Sequence, residues 1–219
     1  MKYQRNEHLE NMILQDLMQE ITDESRQHPS VTDLIYCLTK SFYDMQLGDK
    51  KPDFSNKTKL FFVTGLGLER VLLEARKEKP TVGEYEGIHY HVDSLNGVNT
   101  PLMELKTTRK SIKTDFADMP EGWFKQAMAY CKANGLTKIE YAILFIIPAE
   151  LVCYDVEFEQ SEIDDNWAWL QGRKSVWDES LVSDTWPKEY MYNEPWECPS
   201  CKYAMICEAR SSVVRGEGV

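Results

Sequence analysis

Apolar residues recur every third or fourth position over residues 6–26, at Leu9, Ile13, Leu17 and Ile21 with Leu14 and Met18 alongside. That spacing predicts an amphipathic helix with one core-facing or partner-facing stripe. His28-Pro29 ends it, because the residue before a proline avoids helical geometry. Ser30 followed by Asp33 has the form of a capping arrangement and opens a second helix, on which Cys37 falls one turn after Leu34. Residues 48–56 are polar and contain proline, as a loop does. Residues 59–77 are expected to be helical through Phe62, Gly65, Leu68, Leu72 and Ala75.

The period then changes. Ile88, Tyr90 and Val92 alternate with His89, His91 and Asp93, which predicts a strand. In residues 101–106 Met103 and Leu105 alternate with Glu104 and Lys106. Between the two runs stands Asn96-Gly97, a strong hairpin signal because both central residues of the favoured turn take positive φ. The expectation is therefore a hairpin that brings Asp93, Glu104 and Lys106 together. Residues 124–133 read as a helix closed by Gly135, with Gln126 and Tyr130 on one face. Residues 139–147 are almost continuously apolar, as in a central strand covered on both faces. Residues 151–158 alternate, placing Val152, Tyr154, Val156 and Phe158 on one face of a half-exposed strand. Residues 163–176 read as a helix that Gly172 weakens. The segment 183–197 is irregular and rich in aromatics, among them Trp186, Tyr190, Tyr192 and Trp196. These rings either stack the bases of a single strand or pack inward.

This order of elements implies one α/β domain with a mixed central sheet flanked by helices. Residues 1–29 form a helical segment, 30–210 the main domain and 211–219 a polar tail prone to fraying. A chain of 219 residues holds one substantial core and little more. No apolar run is long enough to cross a bilayer, and the first residues lack a signal peptide's apolar region, so no membrane partner is expected. The net charge of −11 argues mildly against nucleic acid as a partner. Yet Lys106, Arg109, Lys110 and Lys113 lie within eight residues that contain no acid. They read either as a solvated loop or as a rim that guides phosphate.

The spacing Glu104-x-Lys106 has geometric content. In a strand it aims a carboxylate and an ammonium at one spot, beside Asp93. Magnesium and manganese favour hard oxygen ligands of this kind, one or two carboxylates completed by water and substrate phosphate. An ammonium alongside can stabilise charge on a phosphate.

Asp93, then Glu104-x-Lys106, then Gln126-x-x-x-Tyr130 resembles, in order and spacing, the PD-(D/E)XK nucleases of the RecB type. The resemblance implies a restriction-endonuclease-like core. It implies that Asp93, Glu104 and the Leu105 carbonyl hold Mg²⁺ or Mn²⁺ and that Lys106 assists the attacking water. Gln126 and Tyr130 would contact DNA near the site, beside a DNA-guiding rim of Arg109, Lys110 and Lys113. The family pattern also has Gly-x-x-x-His on an earlier helix, with the histidine as a metal ligand. Here the matching stretch ends in Glu69, counted from Gly65. Glu69 is either a carboxylate ligand in the histidine's place or a surface residue paired with a basic neighbour.

Cys37 near one end, and Cys198, Cys201 and Cys207 near the other, resemble the iron–sulfur branch of the same family. That branch includes CRISPR-associated RecB-like exonucleases. The resemblance implies a 4Fe–4S cluster on these four thiolates, tying the ends of the domain together. Four cysteines also suit zinc, although zinc sites usually draw on two close pairs. Cys131 and Cys153 remain as buried thiols, and a reducing cytoplasm is the expected setting.

The function implied is a metal-dependent DNA exonuclease acting on single-stranded ends. Its setting is either CRISPR adaptation beside integration proteins or viral or repair metabolism. The other class of reading is a catalytically silent iron–sulfur or zinc scaffold that binds DNA.

Overall fold

The computed structural model describes residues 8, 12–13, 29–47, 56–77, 80–95, 102–187, 194 and 197–215. Through them the chain forms α1 (Val31–Ile35), α2 (Leu38–Gln46), α3 (Asn56–Arg76), β1 (Thr81–Tyr85), β2 (Ile88–Val92) and β3 (Ser94–Leu95). It continues as β4 (Leu102–Thr108), α4 (Glu121–Asn134), β5 (Lys138–Phe145), β6 (Glu150–Glu157), α5 (Gln160–Ser183) and α6 (Ala204–Arg215). Of the expected N-terminal helix, His8, Met12 and Ile13 are helical, and the remainder lies outside the described residues.

The main sheet has the order β3-β4-β5-β6. β4 and β5 are parallel while the outer pairs are antiparallel, so the sheet is mixed, as expected. The apolar run 139–147 supplies β5, an interior strand with Ile139, Tyr141, Ile143 and Phe145 buried. A parallel partner needs a crossover, and α4 provides it between β4 and β5. Gly135 caps α4 in the left-handed region at φ 65°, as its position in the sequence predicts.

The expected hairpin is corrected. β2 pairs with β1, not with β4. The connection between them is Glu86-Gly87, both at positive φ (48° and 77°), a tight turn that matches strand twist. The chain bends at Asp93, and it is β3, after the bend, that pairs antiparallel with β4. Asn96-Gly97 lies outside the described residues. The sequence reading missed β1 because Thr81–Tyr85 contains a glycine and a glutamate and is only half-buried.

Leu34, Ile35 and Leu38 from α1 and α2 meet Ile88, Val92 and Leu102 from the strands in the core. Ala127, Tyr130 and Cys131 of α4 and Ile163, Trp167, Leu170 and Trp177 of α5 complete it. α5 extends to Ser183, beyond the expected end. Gly172 is exposed there and costs about 1 kcal/mol relative to alanine. Burial of Arg173, Trp177 and Ser180 past the glycine holds the helix through it. α6 likewise continues to Arg215, so the chain is helical past 210, where a tail was expected.

The capping box at Ser30 is present, with Asp33 accepting the Ser30 N–H at 2.9 Å. Cys37 is not on that helix, however. α1 breaks at Tyr36, and Cys37 is the N-cap of α2. Arg173 makes the break possible by donating to the carbonyls of Leu34 and Tyr36. A second, smaller apolar cluster joins the two ends of the domain: Phe42 and Tyr43 of α2 against Tyr203, with Trp186, Cys201 and Cys207 packed on it. Trp186 thus packs inward. Tyr190, Tyr192 and Trp196 lie outside the described residues. Of the remaining cysteines, Cys131 is buried as expected, but Cys153 is exposed on β6. Among the described residues no helix is long and apolar enough to cross a membrane.

Candidate active site

β4 carries the centre of the site. Glu104 is buried and Lys106 is half-buried, and the Lys106 ammonium donates to Glu104 Oε1 at 2.5 Å. It also donates to Gln126 Oε1 at 2.6 Å, from the middle of α4. Gln126 Nε2 in turn donates to the Tyr130 hydroxyl at 2.7 Å, one helical turn on. Tyr141, opposite Glu104 on β5, donates to the Trp123 carbonyl at 2.8 Å and anchors the first turn of α4.

Asp93 reaches the same place from the bend after β2. Its Oδ2 accepts the Leu105 N–H at 2.7 Å, filling the position a strand partner would occupy. A strand residue's N–H and C=O leave by the same edge, so the Leu105 carbonyl opens on the side of Asp93. The convergence survives the failed hairpin because Asp93 follows one sheet and Ser94–Leu95 begins the other.

Three carboxyl groups crowd here, and each is pushed up from its ordinary range. Burial raises Glu69 to about 7, with further upward pressure from Asp93 and relief from Lys106. Burial raises Glu104 more strongly than Lys106 pulls it down, and Asp93 and Glu69 add to the rise. Asp93 is also raised by burial, against the Leu105 N–H and Lys106. Glu69, on α3, therefore faces the acid cluster and not an isolated basic neighbour. Burial and the Glu104 charge keep the Tyr130 phenol far above its usual range, so it remains protonated.

One atom is left over. Glu104 Oε2 is buried and has no hydrogen-bond partner among the described residues. An unsatisfied buried carboxylate oxygen costs free energy unless a cation answers it. The donors around it are hard oxygens, which fit magnesium or manganese. Among the described residues no three His, Cys, Asp or Glu side chains stand in one ready-made metal shell. The Lys106 ammonium already holds one oxygen of Glu104.

The rim residues are positioned differently from one another. Arg109 lies over the Phe61 ring of α3, 4.3 Å from its centroid. Lys110 donates from Nζ to the Asp118 carbonyl at 2.6 Å. Lys113 is exposed. His91 is exposed and near enough to Asp93 to act on its carboxyl, and His89 lies 3.7 Å from Glu84 at the strand edge.

Around the Phe42, Tyr43 and Tyr203 cluster, Cys37, Cys198, Cys201 and Cys207 occupy one region but not one coordination shell. Burial raises the Cys37 thiol to about 11, and the neighbouring Cys201 adds to the rise. Cys198 is exposed and is also affected by Cys201. Cys201 and Cys207 both pack on the Phe42, Tyr43 and Tyr203 cluster. The sequence reading missed Glu197. It is buried beside Cys198, and its Oε1 accepts the Cys37 N–H at 2.9 Å across 160 residues of chain. Its Oε2 accepts the Glu194 N–H at 2.9 Å. No sequence period marks such a residue, and its position next to a candidate ligand was the one available signal.

No family model and no curated protein matches this chain. Among solved structures it is similar to the crystal structure of SSO0001, with a TM-score of 0.58 and 19% identity over 92% of this chain and 96% of that one. At that identity the likeness speaks for the fold alone, a mixed α/β domain spanning nearly the whole of both chains.

Proposed function

We propose that the protein is a divalent-metal-dependent nuclease that hydrolyses DNA phosphodiesters, acting on single-stranded ends. The observation that carries the reading is the Lys106 ammonium held between Glu104 and Gln126, with Asp93 and Glu69 crowded against the same buried carboxylate. A buried acid cluster with one unanswered oxygen is costly for stability alone and useful for binding a cation.

Asp93, Glu104 and Glu69, with the Leu105 carbonyl, would hold Mg²⁺ or Mn²⁺. A bound divalent ion supplies Lewis acidity toward phosphate and makes water a better nucleophile at neutral pH. The chain's own residues do the rest. Lys106 offers a fixed positive charge where the phosphate gains negative charge. Gln126 fixes the direction of that ammonium, and Tyr130 fixes Gln126. Water oxygen forms the new bond to phosphorus and gives up a proton to solvent, the bond to the leaving sugar oxygen breaks, and that oxygen takes up a proton from solvent.

Cys37, Cys198, Cys201 and Cys207 would hold a 4Fe–4S cluster, for which four thiolates are the required donors. Its contribution would be structural, reinforcing a junction that Glu197 and the Tyr43–Tyr203 contact already form.

Digestion of end-labelled single- and double-stranded DNA with Mn²⁺, Mg²⁺ or chelator tests the reading. Metal-dependent shortening of the labelled strand is expected. DNA left intact with either metal, by protein that is folded and binds the ion, would overturn it.

A further inference from the structure

Beside the acid cluster, where β4 ends and α3 passes over it, lies an open cleft of about 370 Å³. It is lined by Phe61, Thr107, Thr108, Arg109, Lys110 and Ile146. The Arg109 guanidinium lies on the Phe61 ring, 4.3 Å from its centroid, so the two planar groups form one plate. α3 lies against β4 here, with Gly65 facing the Thr107 hydroxyl. From Lys106 to Arg109 is three residues of strand and its end, about 10 Å of chain.

We infer that the Phe61–Arg109 plate receives one unpaired base of a nucleic-acid strand whose phosphate lies at Lys106. The inference deepens the nuclease reading and rests on it for the location of the phosphate. Single-stranded nucleic acid is held by flat aromatic and guanidinium surfaces that stack bases, combined with cationic groups that meet the backbone. The cleft has both where Phe61 of α3 meets the segment after β4. Thr107 and Thr108 add hydroxyls, and Lys110 adds a cation at the mouth. Its volume is at the small end for ligand clefts, which run from about 300 to 1,000 Å³. It is large enough to take one nucleotide. A base inside a duplex has its faces covered by neighbours and cannot offer one to the plate. The cleft therefore selects unpaired ends.

The test is equilibrium binding in chelator at one fixed salt concentration, so that no cleavage occurs. The probes are a labelled thymidine oligonucleotide, its duplex, and an abasic strand of equal length. Wild-type protein is expected to bind the thymidine strand about tenfold more tightly than the abasic one. Phe61→Leu, which keeps bulk but loses the ring, should erase that difference and leave duplex binding unchanged. Arg109→Lys, which keeps charge but loses the plane, should weaken binding of the thymidine strand more than of the duplex and so shrink the same difference. Thermal melts check both variants, and Arg109→Lys carries the test if Phe61→Leu is unstable, since Arg109 is exposed. Either folded variant retaining the wild-type preference overturns the inference, as does an equal loss on duplex. A stacking preference without metal-dependent cleavage would sink the nuclease reading alone. Cleavage with no stacking preference would sink the plate alone.

Discussion

Lys106 donates to Gln126 Oε1 at 2.6 Å, and this one contact ties the end of β4 to the middle of α4. It makes the lysine's position depend on a helix that no strand pattern could reveal. Lys106→Ala is expected to slow cleavage by about 10²-fold or more, as removal of a group that stabilises developing charge does. Gln126→Ala should slow it less, about tenfold, because the ammonium remains but loses its bearing. Single-turnover cleavage in Mn²⁺ reads both. A Lys106→Ala rate equal to wild type would remove the lysine from the reaction.

Glu104→Gln is expected to abolish cleavage and, in chelator, to raise stability. Glutamine keeps the oxygen that accepts from Lys106 and removes a buried charge crowded by Asp93 and Glu69. The gain should be about 1 kcal/mol, roughly 2–4 °C in melting temperature. Adding Mn²⁺ should reverse the order, because only wild-type protein gains from binding. A lower melting point for Glu104→Gln in chelator would show that the carboxylate is structural.

The fold was legible where burial left a simple period. The apolar run at β5, the half-exposed alternation at β6 and the capped helix carrying Gln126 and Tyr130 follow from local pattern. The site residues were legible because Glu104 and Lys106 share a strand face and because Gln126 and Tyr130 share a helix face. The hairpin was misread because register depends on partners, and β1 has a weak signal of its own. Cys37 was placed on a helix because the break at Tyr36 depends on Arg173, which lies 137 residues away from it in sequence. The Phe61–Arg109 plate joins residues from different elements, and no single stretch of sequence contains it.

Arg173→Met tests that break. The guanidinium is buried and serves the carbonyls of Leu34 and Tyr36. Methionine leaves both without this donor and should cost about 3 kcal/mol, roughly 6–12 °C in melting temperature. A change within 1–2 °C would mean that water substitutes for the arginine.

Cys198→Ala is expected to lower the melting temperature and iron content while leaving cleavage per folded molecule close to wild type. The cysteines lie at the junction where Tyr203 meets Phe42 and Tyr43, and none of them contacts Glu69, Asp93 or Glu104 by any hydrogen bond among the described residues. Iron analysis, visible absorption and active-fraction kinetics check it together. Colourless wild-type protein carrying zinc would change the metal, and an unchanged melt would remove the structural role.

Asp44 accepts from Lys202 and Lys40, each at 2.6 Å, and from Tyr203 at 2.8 Å. Burial pushes its carboxyl up, but these donors outweigh it and hold it below the usual range. A lowered carboxyl stabilises the fold above its unfolded value, near pH 4, and that contribution disappears as pH falls through the folded value. Asp44→Asn should therefore melt lower than wild type at pH 7 and converge with it in acid. Side-by-side melts across pH check this, and a gap that widens in acid would contradict it. The effect is modest because a third of the side chain is exposed.

The clasp between Glu197 and Cys37 sets a schedule for biosynthesis. The amide that Glu197 must reach emerges from the ribosome 160 residues earlier. The sheet and α4 can assemble while translation continues, yet the N-terminal end of α2 waits for its acceptor until residue 197 has been added. A chain terminated before Glu197 would thus carry Glu69, Asp93 and Glu104 on a body whose ends never lock.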